Sequence, residues 1–215
     1  MKIGIIGSGN VGGTLGIRWA KGGHQVVFGS RDHKAEDLQQ LLARAGSNAQ
    51  AGRPQDAVKS GEVLLLATPW PATKEIVQGL GDLSGKVVID ATNPLLPGLS
   101  GLALGPTTSA AEQVAGWARG AKVVKAFNTV GSNIMENPAF GANKTGQDKP
   151  VLFFCGDDAS AKAKVKQLVD ELGFEGIDAG PLTQARLLEP FALLWISLAY
   201  QAGLGREIAF KLLRR

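Results

Sequence analysis

The segment Gly7-Ser8-Gly9-Asn10-Val11-Gly12 follows directly on a short apolar run, residues 3–6, and opens a stretch with helical periodicity, residues 11–21. A G-x-G-x-x-G between a strand and a helix points to a loop that grips a pyrophosphate. Each glycine has its own reason. Gly7 permits the tight turn, Gly9 lets the backbone approach a phosphate with no side chain between, and Gly12 lets the helix lie close on the strand. Backbone N–H groups at the helix start then face the anion.

Further apolar runs recur at residues 25–28, 63–67, 86–89, 122–126 and 151–155, separated by helical patterns at 11–21, 35–45, 73–80, 109–117 and 160–172. Because these runs are continuous rather than alternating, they mark strands covered on both faces, as in a parallel sheet. The expected fold class is therefore α/β, a doubly wound parallel sheet of the Rossmann type. Ser109-Ala110-Ala111-Glu112 has the form of a capping box and marks one helix start. Residues 1–150 are expected to form the dinucleotide-binding domain. Residues 151–215 are expected to form a small α/β capping and dimerisation segment: a helix opened by Asp157 or Asp158, a strand at 174–178, and a long helical tail at 182–214.

Charge and cysteine usage narrow the partners. The net charge of +4 comes without any run of five like charges, which suits a small anionic ligand, and no nucleic-acid partner is expected. The apolar stretch 190–200 is too short to span a bilayer, so no membrane association is expected. The single cysteine, Cys155, lies in an apolar run and reads as core; with no disulfide framework possible, a cytoplasmic location is expected. His24 and His33 are not spaced with other ligands, so no metal site is expected. Trp19, Trp117 and Trp195 read as core.

The end of the second strand bears on which dinucleotide binds. NAD sites place a carboxylate there for the ribose hydroxyl, whereas a 2′-phosphate needs cations and small donors. Here the chain reads Gly29-Ser30-Arg31-Asp32-His33-Lys34. Ser30 replaces the carboxylate while Arg31 and Lys34 supply charge, and a guanidinium can bind phosphate bidentately, so NADP(H) is the expected cofactor. Asp32 as a ribose acceptor is the alternative. Ligands of such sheets lie at the carboxyl ends of the strands, so Thr68-Pro69, Asn93-Pro94 and Asn128-Thr129 are expected to border the nicotinamide. Plain turn chemistry is the competing role for the prolines, and helix capping for Asn128 and Thr129. Residues 95–107 are apolar but rich in Gly and Pro, and read as a lid over a planar ring. No lysine or histidine is identified at a strand end as general acid or base, so no catalytic side chain is expected. Hydride exchange with a flavin-like ring needs stacking more than proton transfer.

Several segments together are similar to a known family. Residues 7–12, Gly29-Ser30-Arg31, Pro69-Trp70, Ser109 to Glu112, Cys155-Gly156-Asp157-Asp158, Asp178-Ala179-Gly180-Pro181-Leu182 and Ala185-Arg186-Leu187-Leu188-Glu189 resemble the NADPH-dependent reductases of the 8-hydroxy-5-deazaflavin coenzyme. Lys125-Ala126-Phe127-Asn128-Thr129 resembles the cytoplasmic domain of the six-transmembrane epithelial antigen metalloreductases. The resemblance implies NADPH as cofactor, with Ser8, Gly9, Asn10 and Val11 at the pyrophosphate and Ser30, Arg31 and Lys34 at the 2′-phosphate. It also implies a small-molecule redox acceptor, deazaflavin or flavin, and a homodimer.

Overall fold

The computed structural model describes residues 1–140 and 148–215. In chain order the first half runs β1 (Lys2–Ile6), α1 (Asn10–Lys21), β2 (Gln25–Gly29), α2 (Glu36–Ala45), β3 (Ala49–Gly52), α3 (Pro54–Ser60), β4 (Val63–Leu66), α4 (Trp70–Gly79) and β5 (Val87–Asp90). The second half runs α5 (Ala110–Trp117), β6 (Lys122–Lys125), α6 (Ser132–Glu136), β7 (Val151–Gly156), α7 (Ala159–Glu171), β8 (Glu175–Asp178) and α8 (Ala185–Ile196). The strands form one sheet in the order β3-β2-β1-β4-β5-β6-β7-β8. Its first six members have the doubly wound order with a switch point between β1 and β4.

The continuous apolar runs follow from burial on both faces. Val63 and Leu65 of β4 join one core with Leu15, Trp19, Leu38 and Leu168, whereas Leu64 and Leu66 join a second with Ala57, Val77, Val114 and Leu188. Successive strand side chains point to opposite faces, so one strand feeds two layers. Helix α1 sits very close to the sheet. A Cβ at Gly16 would stand 2.3 Å from the ring of Phe28, so only glycine admits that approach.

Two expectations are corrected. The parallel arrangement ends at β6: β7 pairs with it antiparallel, and β8 then runs parallel to β7. The expected helical tail also stops early. Helix α8 ends at Ile196 and passes through a single π-turn, Ser197–Gln201. Gly203 and Gly205 then take left-handed backbone angles, φ +75° and +74°, which a right-handed helix cannot contain. The remaining chain returns over α8 without helix. Trp195 donates its ring N–H to Ile208 O (2.8 Å), and Val151 N donates to Phe210 O (2.8 Å).

Helix starts follow the sequence signals in part. Ser109 Oγ accepts from Glu112 N at 3.2 Å, as a cap should. The carboxylate of Glu112 takes a two-point bond from Arg186 (2.6 and 2.9 Å) and Ser109 Oγ–H (2.8 Å), which hold it below the usual carboxylate range. Of the two neighbouring aspartates, Asp158 caps α7 by accepting from Ala161 N (2.8 Å), while Asp157 accepts from Leu182 N (2.9 Å).

Candidate cofactor site

The turn between β1 and α1 is built from contacts that side chains would forbid. Gly7 has φ +100°, and a Cβ there would stand 2.4 Å from Ala67 O. At Gly12 a Cβ would stand 1.8 Å from Gly7 O, so the helix start and the turn touch backbone to backbone. Gly9 is different: a Cβ built there meets nothing within 4 Å. The space in front of Gly9 is therefore open.

The start of α1 is also uncapped. Among the described residues no side chain accepts from its first turn, and no acidic residue lies in it, in contrast to α5 and α7, which Ser109 and Asp158 cap. Free N–H donors with the positive end of the helix dipole beside clear space suit an external anion, so the residues present fit a pyrophosphate.

Beside this turn lies a cleft of about 410 Å³. It brings together Gly7, Ser8, Ser30, Arg31, Thr68 and Pro69, which are distant in sequence, and adds Gly29, Pro54, Gln55, Ala72 and Ile76. Pro54 and Gln55 had no motif to mark them. They arrive because β3 lies beside β2, which sets the start of α3 next to the β2 terminus. On the far side of the loop, Ser8, Gly9 and Asn10 line a second hollow of about 340 Å³ with Asp37 and Arg44. Val11 is half-buried and does not line it.

Arg31 and Lys34 are exposed, and neither side chain pairs with a carboxylate among the described residues. Ser30 Oγ donates to Asp32 O at 3.0 Å. Asp32 accepts from Lys34 N at 3.1 Å, so its carboxylate is engaged within its own turn. Lys34 does not line the cleft.

The other expected rim residues are placed less openly. Thr68 is buried with its hydroxyl against that of Thr73 (2.9 Å), and Thr73 in turn donates to Pro69 O (3.0 Å), which stiffens the ledge at the cleft. Asn93, Pro94, Asn128 and Thr129 do not line the cleft, and Pro94, Asn128 and Thr129 are buried. Asn93 donates to Asn128 O (3.0 Å), and Asn128 Nδ2 donates to Asn93 Oδ1 (3.2 Å) and Leu188 O (3.1 Å). Asn128 caps no helix, because the residue before α6 is Gly131. Its Oδ1 is buried with no partner among the described residues.

Residues 95–107, expected as a lid over a ring, fold back on themselves through a bridge between Leu95 and Leu102. Leu99 and Ser100 border a hollow of about 340 Å³ shared with Leu193 and Leu194 of α8, not the cleft at the phosphate loop. The loop satisfies its own backbone, with Leu96 N donating to Gly101 O and Ala103 N to Pro94 O. A larger hollow of about 480 Å³, with Arg18, His24 and Glu171, sits at the opposite end of the strands, where doubly wound sheets do not place their ligands.

A lysine does occupy a strand end. Lys125 is the last residue of β6 and its side chain is wholly enclosed, with Asp90 and Glu189 each at 2.9 Å. Burial alone would push the ammonium down, but the two carboxylates overcome it and hold the group above the ordinary lysine range. Cys155 is core as expected, and burial pushes its thiol up to about 12. Trp19 and Trp195 are core; Trp117 is only half-buried and stacks on Trp70 with ring centres 5.5 Å apart. Among the described residues no group of three or more His, Cys, Asp or Glu could hold a metal ion. No described helix is long and apolar enough to cross a membrane.

The doubly wound sheet defines a Rossmann-type α/β protein, and its likeness to the reductases named below makes it an NADP-dependent oxidoreductase. Residues 2–94 match the family described as NADP oxidoreductase, coenzyme F420-dependent. With a solved putative F420-dependent NADP reductase 31% identical over the whole of both chains, the chain belongs to that family. It is 28% identical to the F420-dependent NADP reductase of Methanothermobacter marburgensis over 212 residues, covering 92% of each chain. It is 30% identical to the metalloreductase STEAP3 of Rattus norvegicus over 192 residues, which is 89% of this chain but 36% of that protein. Among solved structures, a putative F420-dependent NADP reductase from an Arthrobacter species superposes with a TM-score of 0.87 at 31% identity, covering 100% of both chains.

Proposed function

We propose that the protein moves a hydride between NADP(H) and a deazaflavin coenzyme of the F420 type, a flavin being the alternative acceptor. One observation carries the reading: the uncapped start of α1 faces clear space at Gly9, next to the cleft that holds Ser30 and Arg31. The first-turn N–H groups, with Ser8 and Asn10, hold the pyrophosphate. Ser30, Arg31 and Lys34 hold the 2′-phosphate, so NADP(H) binds in preference to NAD(H). Thr68 and Pro69 form a stiff ledge under the next part of the cofactor, with Asn93, Pro94, Asn128 and Thr129 behind the rim. The nicotinamide, when bound, supplies the hydride itself, and the chain's task is to position it and exclude water.

Residues 1–150 act as the dinucleotide-binding part and residues 151–215 as the capping and dimerisation segment. The dimer face is the outer side of α8 and its π-turn, where Leu187 is 66% and Tyr200 55% exposed, together with Leu194. The protein works in the cytoplasm. The test of the function is anaerobic oxidation of NADPH, and separately of NADH, with a panel of acceptors: deazaflavin, FMN, FAD and ferric chelates. Fast turnover with deazaflavin and NADPH supports the reading. Equal use of NADH, or no turnover with any ring acceptor, refutes it.

A further inference from the structure

A charge cluster closed to solvent ties α8 to the carboxyl ends of β5 and β6. Lys125 spends its ammonium on Asp90 Oδ2 (2.9 Å), Glu189 Oε1 (2.9 Å) and Thr92 O (2.6 Å). Glu189 also accepts from Ala110 N (2.9 Å) and Ala111 N (3.2 Å), so its carboxylate reaches the first turn of α5 as well. Asp90 Oδ1 accepts from Thr92 N (3.0 Å) and Thr92 Oγ1 (2.7 Å). Every partner is buried. Stability alone is a poor reason for such a group, since apolar side chains of similar volume often serve a fold as well or better.

Each member lies next to the residues expected to border the nicotinamide. Asp90 and Thr92 lead into Asn93, Lys125 into Asn128, and Glu189 follows Leu188, whose carbonyl accepts from Asn128. Between Lys125 and Asn128 the backbone is strained: Phe127 has φ +65° although it is not glycine, and its ring is fixed edge-on to Trp19 at 5.6 Å. Such a conformation persists only where the surroundings over-determine it, typically at functional sites. Asn128 Oδ1 at the end of this turn is a buried acceptor with no partner among the described residues.

We propose that Glu189 is a positioning residue for the nicotinamide half of the cofactor: through Lys125 it holds the 90–93 and 125–128 strand ends in the one arrangement that receives the ring. This rests on the NADP(H) reading above. The adenosine half, at Gly9 and Arg31, is independent of the cluster.

The test is calorimetric titration of the native protein and of Glu189→Gln with NADPH and with adenosine 2′,5′-bisphosphate, which lacks the nicotinamide. The variant should bind the bisphosphate as the native protein does but NADPH about tenfold more weakly, the scale of one lost charge-assisted contact. The fluorescence of its bound NADPH should move toward that of the free cofactor. Equal losses for both ligands, loss for the bisphosphate alone, or no loss for either overturns the proposal. If Glu189→Gln does not fold, Asp90→Asn must show the same split; two unfolded variants mark the cluster as merely structural and overturn it too. A native protein that binds neither ligand refutes the cofactor reading itself, whereas native binding with an unsplit variant refutes only this inference.

Discussion

Gly9→Val separates a glycine kept for a ligand from a glycine kept for the fold. Gly9 has φ −72° and ψ −159°, an extended conformation open to any L residue, and a Cβ there meets nothing within 4 Å. The folded chain therefore tolerates valine, and a change within about 1 kcal/mol is expected, a shift of roughly 2–4 °C in Tm for a chain of this size. The ligand does not tolerate it. The branched side chain fills the space in front of the free N–H groups of α1. Two lost charge-assisted hydrogen bonds at about 1.5–3 kcal/mol each amount to about 3–6 kcal/mol, roughly 10²- to 10⁴-fold in Kd. Gly12→Val is the control with the opposite cause, because its Cβ would stand 1.8 Å from Gly7 O and the turn must open. Titration with NADPH and a thermal melt on both variants decide the matter. Gly9→Val that binds NADPH within threefold of the native protein refutes the assignment of that space, and one that melts more than 10 °C lower refutes the claim that the fold does not need Gly9.

Arg31→Glu places a carboxylate against the 2′-phosphate, so NADPH affinity should fall roughly tenfold to more than a hundredfold while NADH binding is unchanged or improved; equal losses for both refute the role of Arg31. Leu187→Glu with Leu194→Glu should convert a species of twice 22.4 kDa into one of 22.4 kDa in sedimentation, and a native monomer at micromolar concentration refutes the dimer. Trp195 is unsuited to that test, since its own tail covers it. With its thiol pushed up to about 12, Cys155 remains protonated from pH 7 to 9, so iodoacetamide should leave the folded protein unmodified and label it only after denaturation. Rapid labelling of the folded protein at pH 8 would contradict the burial of that strand.

What the chain reveals before folding is local. The phosphate loop is legible because three glycines, a strand and a helix start lie within about twenty residues, although the contact that demands Gly7 comes from Ala67, just past the end of β4, and not from its neighbours in sequence. Ser30 and Arg31 are legible because the chemistry of a 2′-phosphate falls at a strand end that the loop itself predicts. β3 (AQAG) has no apolar run, since as an edge strand with one paired neighbour it has little to bury. The early end of the tail rests on two left-handed glycines whose backbone angles composition alone does not disclose.

The Lys125 cluster is illegible in the sequence for a different reason. Lys125 was visible as a residue before Ala126-Phe127-Asn128, and Glu189 as a residue inside an apolar helix, but each alone is a charge that ought to reach water. Buried charges are tolerated only in pairs or larger groups with their hydrogen bonds filled, so the partner, not the residue, marks the burial. Here the partners come from β5, β6 and α8, and only the packing of α8 against the start of α5 brings Glu189 to Lys125. A charged residue in an otherwise apolar stretch, such as Lys125 after Val123-Val124 or Glu189 before Pro190-Phe191, is the one trace such a cluster leaves in sequence. Two such traces of opposite sign in one chain are each other's natural explanation, and in this protein they meet at 2.9 Å behind the rim where the cofactor's reactive end is proposed to lie.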